Sequence, residues 1–327
     1  MKHNLLICCF GLLFFGLQPN AQSQDRFYSQ IFANRLQLSP ALAGSEEVVG
    51  QSIMTQARWQ WIGIENHLQQ YGAAYHSNFY TLGRRFGYGV NYQMERTADG
   101  GYTQNKLDFH FSHTIHFVRY HFLSFGLAGG IQQQALDFSI LRFPPQIING
   151  QLVPSFPVDS IGRSYQPDFQ AGFAYYYKSL FAIGSVKHFQ DIRLRDSGPN
   201  FPNPFYSLTM GVKLGIGDSL FGKAIDSYLT PLFHYQRQGR YYLMVAGIDL
   251  ELAPITLSLR YAINNRWSGG IAIRRGPFQL AYQYDHFVGN FVMESFGPTH
   301  ELSLKCVINN RHYMCRVRHY SRSLPKF

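Results

Sequence analysis

The chain has 327 residues, of which 46% are hydrophobic, 16% aromatic and only 15% charged, with a formal net charge of +10. Its mean hydropathy of −0.17 is too polar for a bundle of membrane helices, and beyond residue 21 no stretch approaches the roughly 18 consecutive apolar residues that a spanning helix needs. A helical transporter is therefore excluded. The many aromatic residues and glycines suit numerous short strands with one apolar face, although composition alone also allows a soluble exported β protein.

Residues 1–21 have the pattern of a secretory signal peptide. Lys2 precedes an uncharged run from Leu5 to Leu17, and the cleavage region follows it. We expect cleavage after Ala21 and export of the mature chain. An exported chain seldom meets nucleic acid, so the excess of basic over acidic residues points to anionic lipid head groups or an acidic protein partner.

Residues 22–50 are predicted to form a short helical or irregular segment, periplasmic or plug-like, ahead of every strand. The apolar side chains are spaced more nearly as in a helix than as in a strand: Phe27, Ile31, Phe32, Leu36 and Leu38. A helix should end at about Leu38, because the residue before Pro40 is pushed out of the α region. A turn is expected over residues 41–45.

From residue 51 to residue 308 the sequence is a succession of segments with period two. Leu107, Phe109 and Phe111 alternate with polar residues, so one face is apolar and the other polar. Fourteen such segments are predicted, within a range of 12 to 16, and bacterial single-chain barrels have even strand numbers. The predicted strands are 51–59, 70–80, 86–95, 105–117, 119–133, 165–177, 180–190, 205–217, 227–237, 240–252, 255–264, 267–275, 276–286 and 298–308.

The connections between these segments sort by length. Short turns such as 178–179 and 253–254 alternate with longer connections such as 60–69 and 134–164, as in outer-membrane barrels with short periplasmic turns. All the long connections except 217–226 fall on one side. A soluble sandwich has no reason to sort its loops in this way. The fold class is therefore predicted as all-β, a transmembrane antiparallel β-barrel of the outer membrane with both termini periplasmic and a basic periplasmic tail at 309–327.

Two cysteines remain after removal of the signal peptide, Cys306 and Cys315. They face each other across a hairpin if the loop between them is Asn309–His312, and a disulfide is then geometrically allowed. A shorter loop puts them out of register. Both alternatives stay open.

The sequence gives little evidence of a catalytic or metal-binding site. Strand geometry keeps the histidines at positions 110, 113, 116 and 121 from closing on one metal ion. Ser185 and His188, the pair that a barrel lipase would need, are predicted on opposite faces of their strand. We expect no catalytic, cofactor-binding or metal-binding residues.

Six elements, in order along the chain, resemble the PorP/SprF family of type IX secretion system membrane proteins. They are Tyr28-Ser29-Gln30, Ser39-Pro40-Ala41-Leu42-Ala43-Gly44, Arg58-Trp59-Gln60-Trp61, Gln166-Pro167-Asp168-Phe169 with Gly172, Ile183-Gly184-Ser185-Val186-Lys187-His188, and Thr299-His300-Glu301-Leu302-Ser303-Leu304. Tyr28 stands where the family has Phe and Ser39 where it has Asn. The tail after Cys315 matches nothing in the family pattern.

The resemblance implies a non-enzymatic outer-membrane component of type IX secretion or gliding motility that helps to export or anchor a cell-surface adhesin. The implied partners are a secreted adhesin or its C-terminal domain, other secretion components in the periplasm or outer membrane, and outer-membrane lipid. We expect partner contacts at the motif residues Tyr28, Ser29, Gln30, Pro40, Ala41, Gly44, Arg58, Trp59 and Trp61. For the two tryptophans, an interfacial aromatic girdle is the alternative. The alternative function is a passive porin for small solutes, which the polar, glycine-rich inner face suggests.

Overall fold

The computed structural model describes residues 25, 27–45, 50–81, 84–118, 120–137, 147–148, 151–152, 161–189, 203–216, 227–289 and 294–309. The predicted signal peptide, Cys315, the basic tail beyond residue 309 and most of the connection 134–164 lie outside these residues.

Fourteen strands form the wall of the molecule. They are β1 (Gly50–Gln60), β2 (Leu68–Thr81), β3 (Arg84–Thr97), β4 (Tyr102–Val118), β5 (His121–Asp137), β6 (Ile161–Tyr177), β7 (Leu180–Lys187), β8 (Phe205–Val212), β9 (Ser227–Gln238), β10 (Tyr241–Leu252), β11 (Ile255–Ala262), β12 (Arg266–Arg275), β13 (Phe278–Phe287) and β14 (Thr299–Asn309). Leu214–Gly215 continues β8 alongside β9, and a separate two-stranded hairpin joins Ile147–Ile148 to Gln151–Leu152.

Every strand of the wall pairs antiparallel with its neighbours in chain order. The first and last strands also pair, with Gly50 opposite Asn309 and Trp59 opposite His300, so the sheet closes on itself. Closure leaves no unpaired edge, which a sheet in hydrocarbon requires. The predicted antiparallel barrel of 14 strands is confirmed.

The burial pattern of the wall is inverted relative to a soluble protein. On β4, Phe109 is 61% exposed and Leu107 41%, whereas Asp108 between them is 1% exposed. The same alternation places apolar side chains outside and polar side chains inside on the other strands, as predicted. An apolar belt around a polar interior is the arrangement that lipid on the outside requires.

The segment that precedes β1 lies inside the barrel. We call this segment, Asp25 with residues 27–45, the plug. It contains the short helix α1 (Arg35–Leu38) and a 3₁₀ turn over Pro40–Leu42, and the side chains of Phe32, Leu36 and Leu42 have no exposed surface. The helix ends at Leu38 as predicted, because Ser39 before the proline is extended. In the described part of the chain no helix has the length and apolar character needed to span a membrane.

The plug runs lengthwise through the barrel. The barrel has a short-turn end, with connections such as 82–83 and 253–254, and a long-loop end, with connections such as 138–160 and 288–298. Asp25 contacts Gln238 and His188 at the long-loop end. Gly44 contacts Asn78 near the short-turn end. Residues 1–24 lie outside the described part, so the periplasmic position of the N-terminus stays a prediction.

Candidate functional site

A row of small residues crosses the inner wall of the barrel. Gly87, Ser112, Gly126, Gly172 and Ser185 are in register on the five neighbouring strands β3 to β7. We call this row the small-residue track. The second half of the plug lies along it.

The glycines of the track allow backbone to touch backbone. A Cβ atom built at Gly126 would lie 2.2 Å from the amide nitrogen of Ala41 and 2.2 Å from the carbonyl carbon of Pro40. At Gly87 it would lie 2.0 Å from the carbonyl oxygen of Ala43. These neighbours are main-chain atoms, which cannot rotate away. Glycine is therefore needed here for close approach of the plug.

Serine hydroxyls from the wall bind three carbonyl groups of the plug. The pairs are Ser112 with Ala43 (2.8 Å), Ser124 with Ala41 (2.8 Å) and Ser185 with Leu38 (2.9 Å). Carbonyls at the end of a short helix have no partner within the helix, so an outside donor must satisfy them. Serines on β4, β5 and β7 of the wall supply these donors.

Four charged wall residues hold Ser29 of the plug. Its amide donates to the carboxylate of Glu301 (2.9 Å) and its hydroxyl donates to Asp285. Its carbonyl accepts from Arg260, and its hydroxyl accepts from Arg58 (3.1 Å). Every polar group of this small residue is thus bound by the wall.

The charged side chains around Ser29 form buried ion pairs with one another. Arg58 lies 3.1 Å from Asp285 and 2.8 Å from Glu301, and Arg260 lies 3.0 Å from Asp249. All five side chains are at most 1% exposed. Removing one partner of such a buried pair leaves an uncompensated charge, which is far more destabilising than loss of a surface ion pair.

Gln30 is bound through both ends of its side-chain amide. Its nitrogen donates to the carbonyl of Glu301 (3.2 Å), and its oxygen accepts from the hydroxyl of Ser303. Ser29 and Gln30 together thus join the plug to β13 and to β14, the last strand, which closes the barrel by pairing with β1.

A second cluster of charges holds the start of the plug. His188 lies between two carboxylates, with Nδ1 2.8 Å from Asp168 and Nε2 2.8 Å from Asp25. Lys106 pairs with Asp168 on the adjoining wall. Burial lowers the pKa of His188, but the charge of Asp25 and the hydrogen bonds to both carboxylates outweigh burial and raise the pKa to about 9. Burial likewise disfavours ionised Asp25, yet the charge of His188 holds its pKa well below the usual range.

The predicted positions of Ser185 and His188 on opposite faces are wrong. His188 follows the end of β7 with φ at +57°, and this left-handed conformation turns its ring into the lumen. Both side chains therefore face inward, yet Ser185 binds Leu38 and Ser207 while His188 binds the two carboxylates. They form no nucleophile and base pair with each other.

The histidines of β4 face different sides of the wall. His110 is 3% exposed and faces the lumen, whereas the ring of His113 stacks on Phe86 with centroids 4.6 Å apart. Within the residues that the structure describes, no group of three or more His, Cys, Asp or Glu side chains could hold a metal ion.

The predicted partner-binding residues fall into two groups. Seven are buried inside the barrel: Tyr28, Ser29, Gln30, Pro40, Ala41, Gly44 and Arg58. Trp59 and Trp61 are partly exposed near the long-loop end, beside Tyr71 and Phe296 respectively. Whether any of the nine contacts a partner stays a prediction.

One of the two cysteines of the predicted disulfide lies in the described part of the chain. Cys306 lies on β14, opposite Phe278 of β13 and Ile53 of β1, and is partly exposed. Cys315 lies outside the described part. The pairing therefore stays a prediction.

Sequence reasoning did not identify Arg260, Asp249 or Asp285 as members of the site. Each is a charged residue at an inward position of a predicted strand, and that position could have identified it as a member of the site. A charge on the lumenal face of a membrane strand needs a partner. The partner's identity depends on contacts between distant strands.

Comparisons with known proteins identify a family for this chain. The family model described as type IX secretion system membrane protein PorP/SprF matches residues 20–306. None of the curated proteins compared with the chain is similar to it in sequence. Among solved structures, a triple mutant of the Rhodopseudomonas blastica porin has 7% identity and a TM-score of 0.35 over 79% of this chain and 99% of that one. CdiB from Acinetobacter baumannii has 8% identity and a TM-score of 0.41 over 80% of this chain and 60% of its own. Because the family model spans most of its length, the chain belongs to the PorP/SprF family of type IX secretion system membrane proteins.

Proposed function

We propose that this outer-membrane component of type IX secretion acts as a plugged, non-catalytic anchor. It aids the export or surface attachment of an adhesin-like protein by binding that protein or its C-terminal domain, together with other secretion components. The observation that carries the proposal is the plug, which runs the length of the lumen and is bound to the wall at both ends. A closed barrel suits attachment better than solute passage.

The strength of plug binding supports this proposal. Phe32, Leu36 and Leu42 are fully buried, and burial of each such side chain contributes about 1.5–3 kcal/mol. The hydrogen bonds and buried ion pairs around Ser29 add to this stabilisation. Spontaneous loss of the plug should therefore be rare on the time scale of solute diffusion.

The orientation that fits the proposal places the long-loop end outside the cell. Outer-membrane barrels carry their longer connections on that side, and the last residue of β14, Asn309, is at the opposite end. The carboxyl end of the chain would then be periplasmic, as predicted, whereas Asp25, the first residue of the plug, would lie at the extracellular end. Trp59 and Trp61 would be available to an extracellular partner or to lipid head groups. The buried motif residues would influence partners by fixing the position of the plug.

The first experiment is affinity purification of the tagged full-length chain from outer membranes, followed by mass spectrometry. An adhesin or secretion components in stoichiometric amounts support the anchor. A variant that lacks residues 27–45 should still insert but lose these partners. Unchanged recovery of partners by that variant would contradict a role for the plug in association.

The second candidate function is a passive porin, which the polar lining of the lumen favours. Planar-bilayer recordings separate the two functions. We expect silence from the intact chain and a steady current from the variant that lacks residues 27–45. A large steady current from the intact chain, together with purification as a lone barrel, would instead establish the porin.

A further inference from the structure

The exposed charges of the barrel are distributed unequally between its two ends. Among the residues that the structure describes, the exposed charged side chains at the short-turn end are all basic: Arg84, Lys178 and Arg275. We call these three residues the basic rim. At the long-loop end of the described chain, three basic and three acidic side chains are exposed: Arg96, Arg163, Arg240, Glu65, Asp99 and Glu294. The exposed charge is therefore positive at one end and balanced at the other.

Arg84 and Arg275 lie on the outer face, at the edge of the apolar belt. Arg275 ends β12 two positions after Ile273, which is 50% exposed, and it is paired with Phe278 of β13. Arg84 begins β3 two positions before the outward ring of Phe86. Long basic side chains at such positions extend their charge toward lipid head groups, while their methylene groups stay against the apolar surface.

Lys178 has the same arrangement in the turn between β6 and β7. Its ammonium lies 5.4 Å from the centre of the Tyr177 ring. The ring of His121 stacks on Tyr177, with centroids 4.3 Å apart. The rings thus place an exposed cation at the boundary between the apolar belt and water.

The three cations are spread around the barrel rather than gathered in one patch. They belong to β3, to the turn after β6 and to β12, so at least three strand spacings separate any two of them. At about 4.8 Å per strand, this is roughly 14 Å along the wall, which exceeds the screening length of about 8 Å at physiological salt. Each cation therefore attracts a counter-charge of its own. Separate small head groups suit this arrangement better than one acidic protein surface.

We propose that the basic rim binds anionic phospholipids, with one head group at each of Arg84, Lys178 and Arg275. The phosphate oxygens of the lipid accept charge-assisted hydrogen bonds from the guanidinium or ammonium group. The acyl chains lie along the apolar belt. Each cation near the membrane surface contributes about a fivefold preference for anionic over zwitterionic lipid. The barrel thereby selects anionic lipid in the leaflet at its short-turn end and not in the other.

The lipid selectivity of the full-length protein tests the proposal. The protein is reconstituted into vesicles of equal amounts of phosphatidylglycerol and phosphatidylcholine and extracted in mild detergent, and the lipids that it retains are counted by native mass spectrometry. We expect retained phosphatidylglycerol to exceed phosphatidylcholine by about fivefold. The combined variant Arg84→Gln, Lys178→Gln, Arg275→Gln should lose this preference. The matched variant Arg96→Gln, Arg163→Gln, Arg240→Gln removes the same charge from the long-loop end and should keep it.

A second measurement needs no variant. Electron spin resonance of the wild-type protein should find a larger motionally restricted fraction for spin-labelled phosphatidylglycerol than for phosphatidylcholine, and high salt should reduce the difference because it screens exposed charges. Equal retention of the two lipids by the wild-type protein, or equal loss of preference in both combined variants, would overturn the proposal and leave the basic rim to an acidic protein. These outcomes are independent of the secretion role, because the vesicles are symmetric and contain no other protein.

Discussion

A single methyl group added at Gly126 should loosen the plug. Gly126 is in an ordinary strand conformation in the middle of β5, so Gly126→Ala does not strain the wall itself. The new Cβ would lie 2.2 Å from two main-chain atoms of the plug, at Ala41 and Pro40, where ordinary contact begins at 3.4 Å. The plug must therefore move away from β5.

The size of the effect follows from the atoms involved. The clash is with backbone, so rotation of a side chain cannot relieve it. Inserting a methyl group into a well-packed interior costs about 1–3 kcal/mol. Movement also lengthens the hydrogen bond from Ser124 to Ala41, now 2.8 Å. If this free-energy cost destabilises only the docked state of the plug, the equilibrium constant for release of the plug from the wall rises by about 5- to 150-fold.

Hydrogen exchange of the plug amides measures this equilibrium directly. The amides of Leu42, Ala43 and Gly44 are bonded in the docked plug at 3.1, 3.2 and 3.1 Å respectively, and their exchange should accelerate by that factor. Gly129→Ala is the matched control, because a Cβ there meets only the Phe169 ring at 3.6 Å. Unchanged exchange in Gly126→Ala, or equal acceleration in Gly129→Ala, would refute close packing of the plug on the track.

Three further predictions test the ends and the outer face of the barrel. The pKa of His188 is raised from 6.5 to about 9, so its contact with Asp25 stabilises the plug fully below about pH 6.5 and is lost as the pH rises through 9. An NMR titration should find that value in the intact protein and a lower one in Asp25→Asn, and a value near 7 in the intact protein contradicts the contact. Arg58→Met leaves the carboxylate of Glu301 buried and short of a partner, so the free energy of unfolding in urea should fall by about 3–5 kcal/mol; a loss below about 1 kcal/mol would place Arg58 outside a buried network. Leu127, 65% exposed on the outer face, should tolerate Met but lose about 2–4 kcal/mol of folding stability in lipid when replaced by Lys, and equal stability of the two variants would argue against a lipid-facing position.

The wall of the barrel could be predicted from the sequence because its signal is local. Alternation of apolar and polar residues over ten positions fixes both the strand and its lipid-facing side, as in β4. The end of α1 could also be predicted from local sequence, since it depends on the proline after Ser39. Both features need only the residues of one segment.

The contacts of the plug could not be predicted because they join distant parts of the chain. Arg58 and Glu301 are 243 positions apart, and Ser29 and Glu301 are 272 apart. The glycines of the track each look like an ordinary strand glycine, and only the alignment of five strands turns them into a groove. His188 was misplaced because its left-handed backbone interrupts the alternation on which the prediction relied.

The closed wall explains why the plug is held mainly by side chains. Backbone groups of the strands are already paired with neighbouring strands, so the wall has no free edge to which the plug could add as another strand. Plug carbonyls must therefore find hydroxyl or guanidinium donors, and plug amides must find carboxylates or ring nitrogens. Ser112, Ser185, Arg260, Glu301 and His76 fill these roles.

This requirement gives a physical reason why separate motifs meet inside the barrel. Ser29 from the first motif is held by Arg58 from the third and by Glu301 from the last. Pro40 and Ala41 from the second pack on the track, which includes Gly126. Residues that dock a plug must match it as a set, because one unmatched charge in the lumen costs more than a single hydrogen bond contributes. The motifs therefore fit a common task of plug docking, and a partner would sense them through the position of the plug.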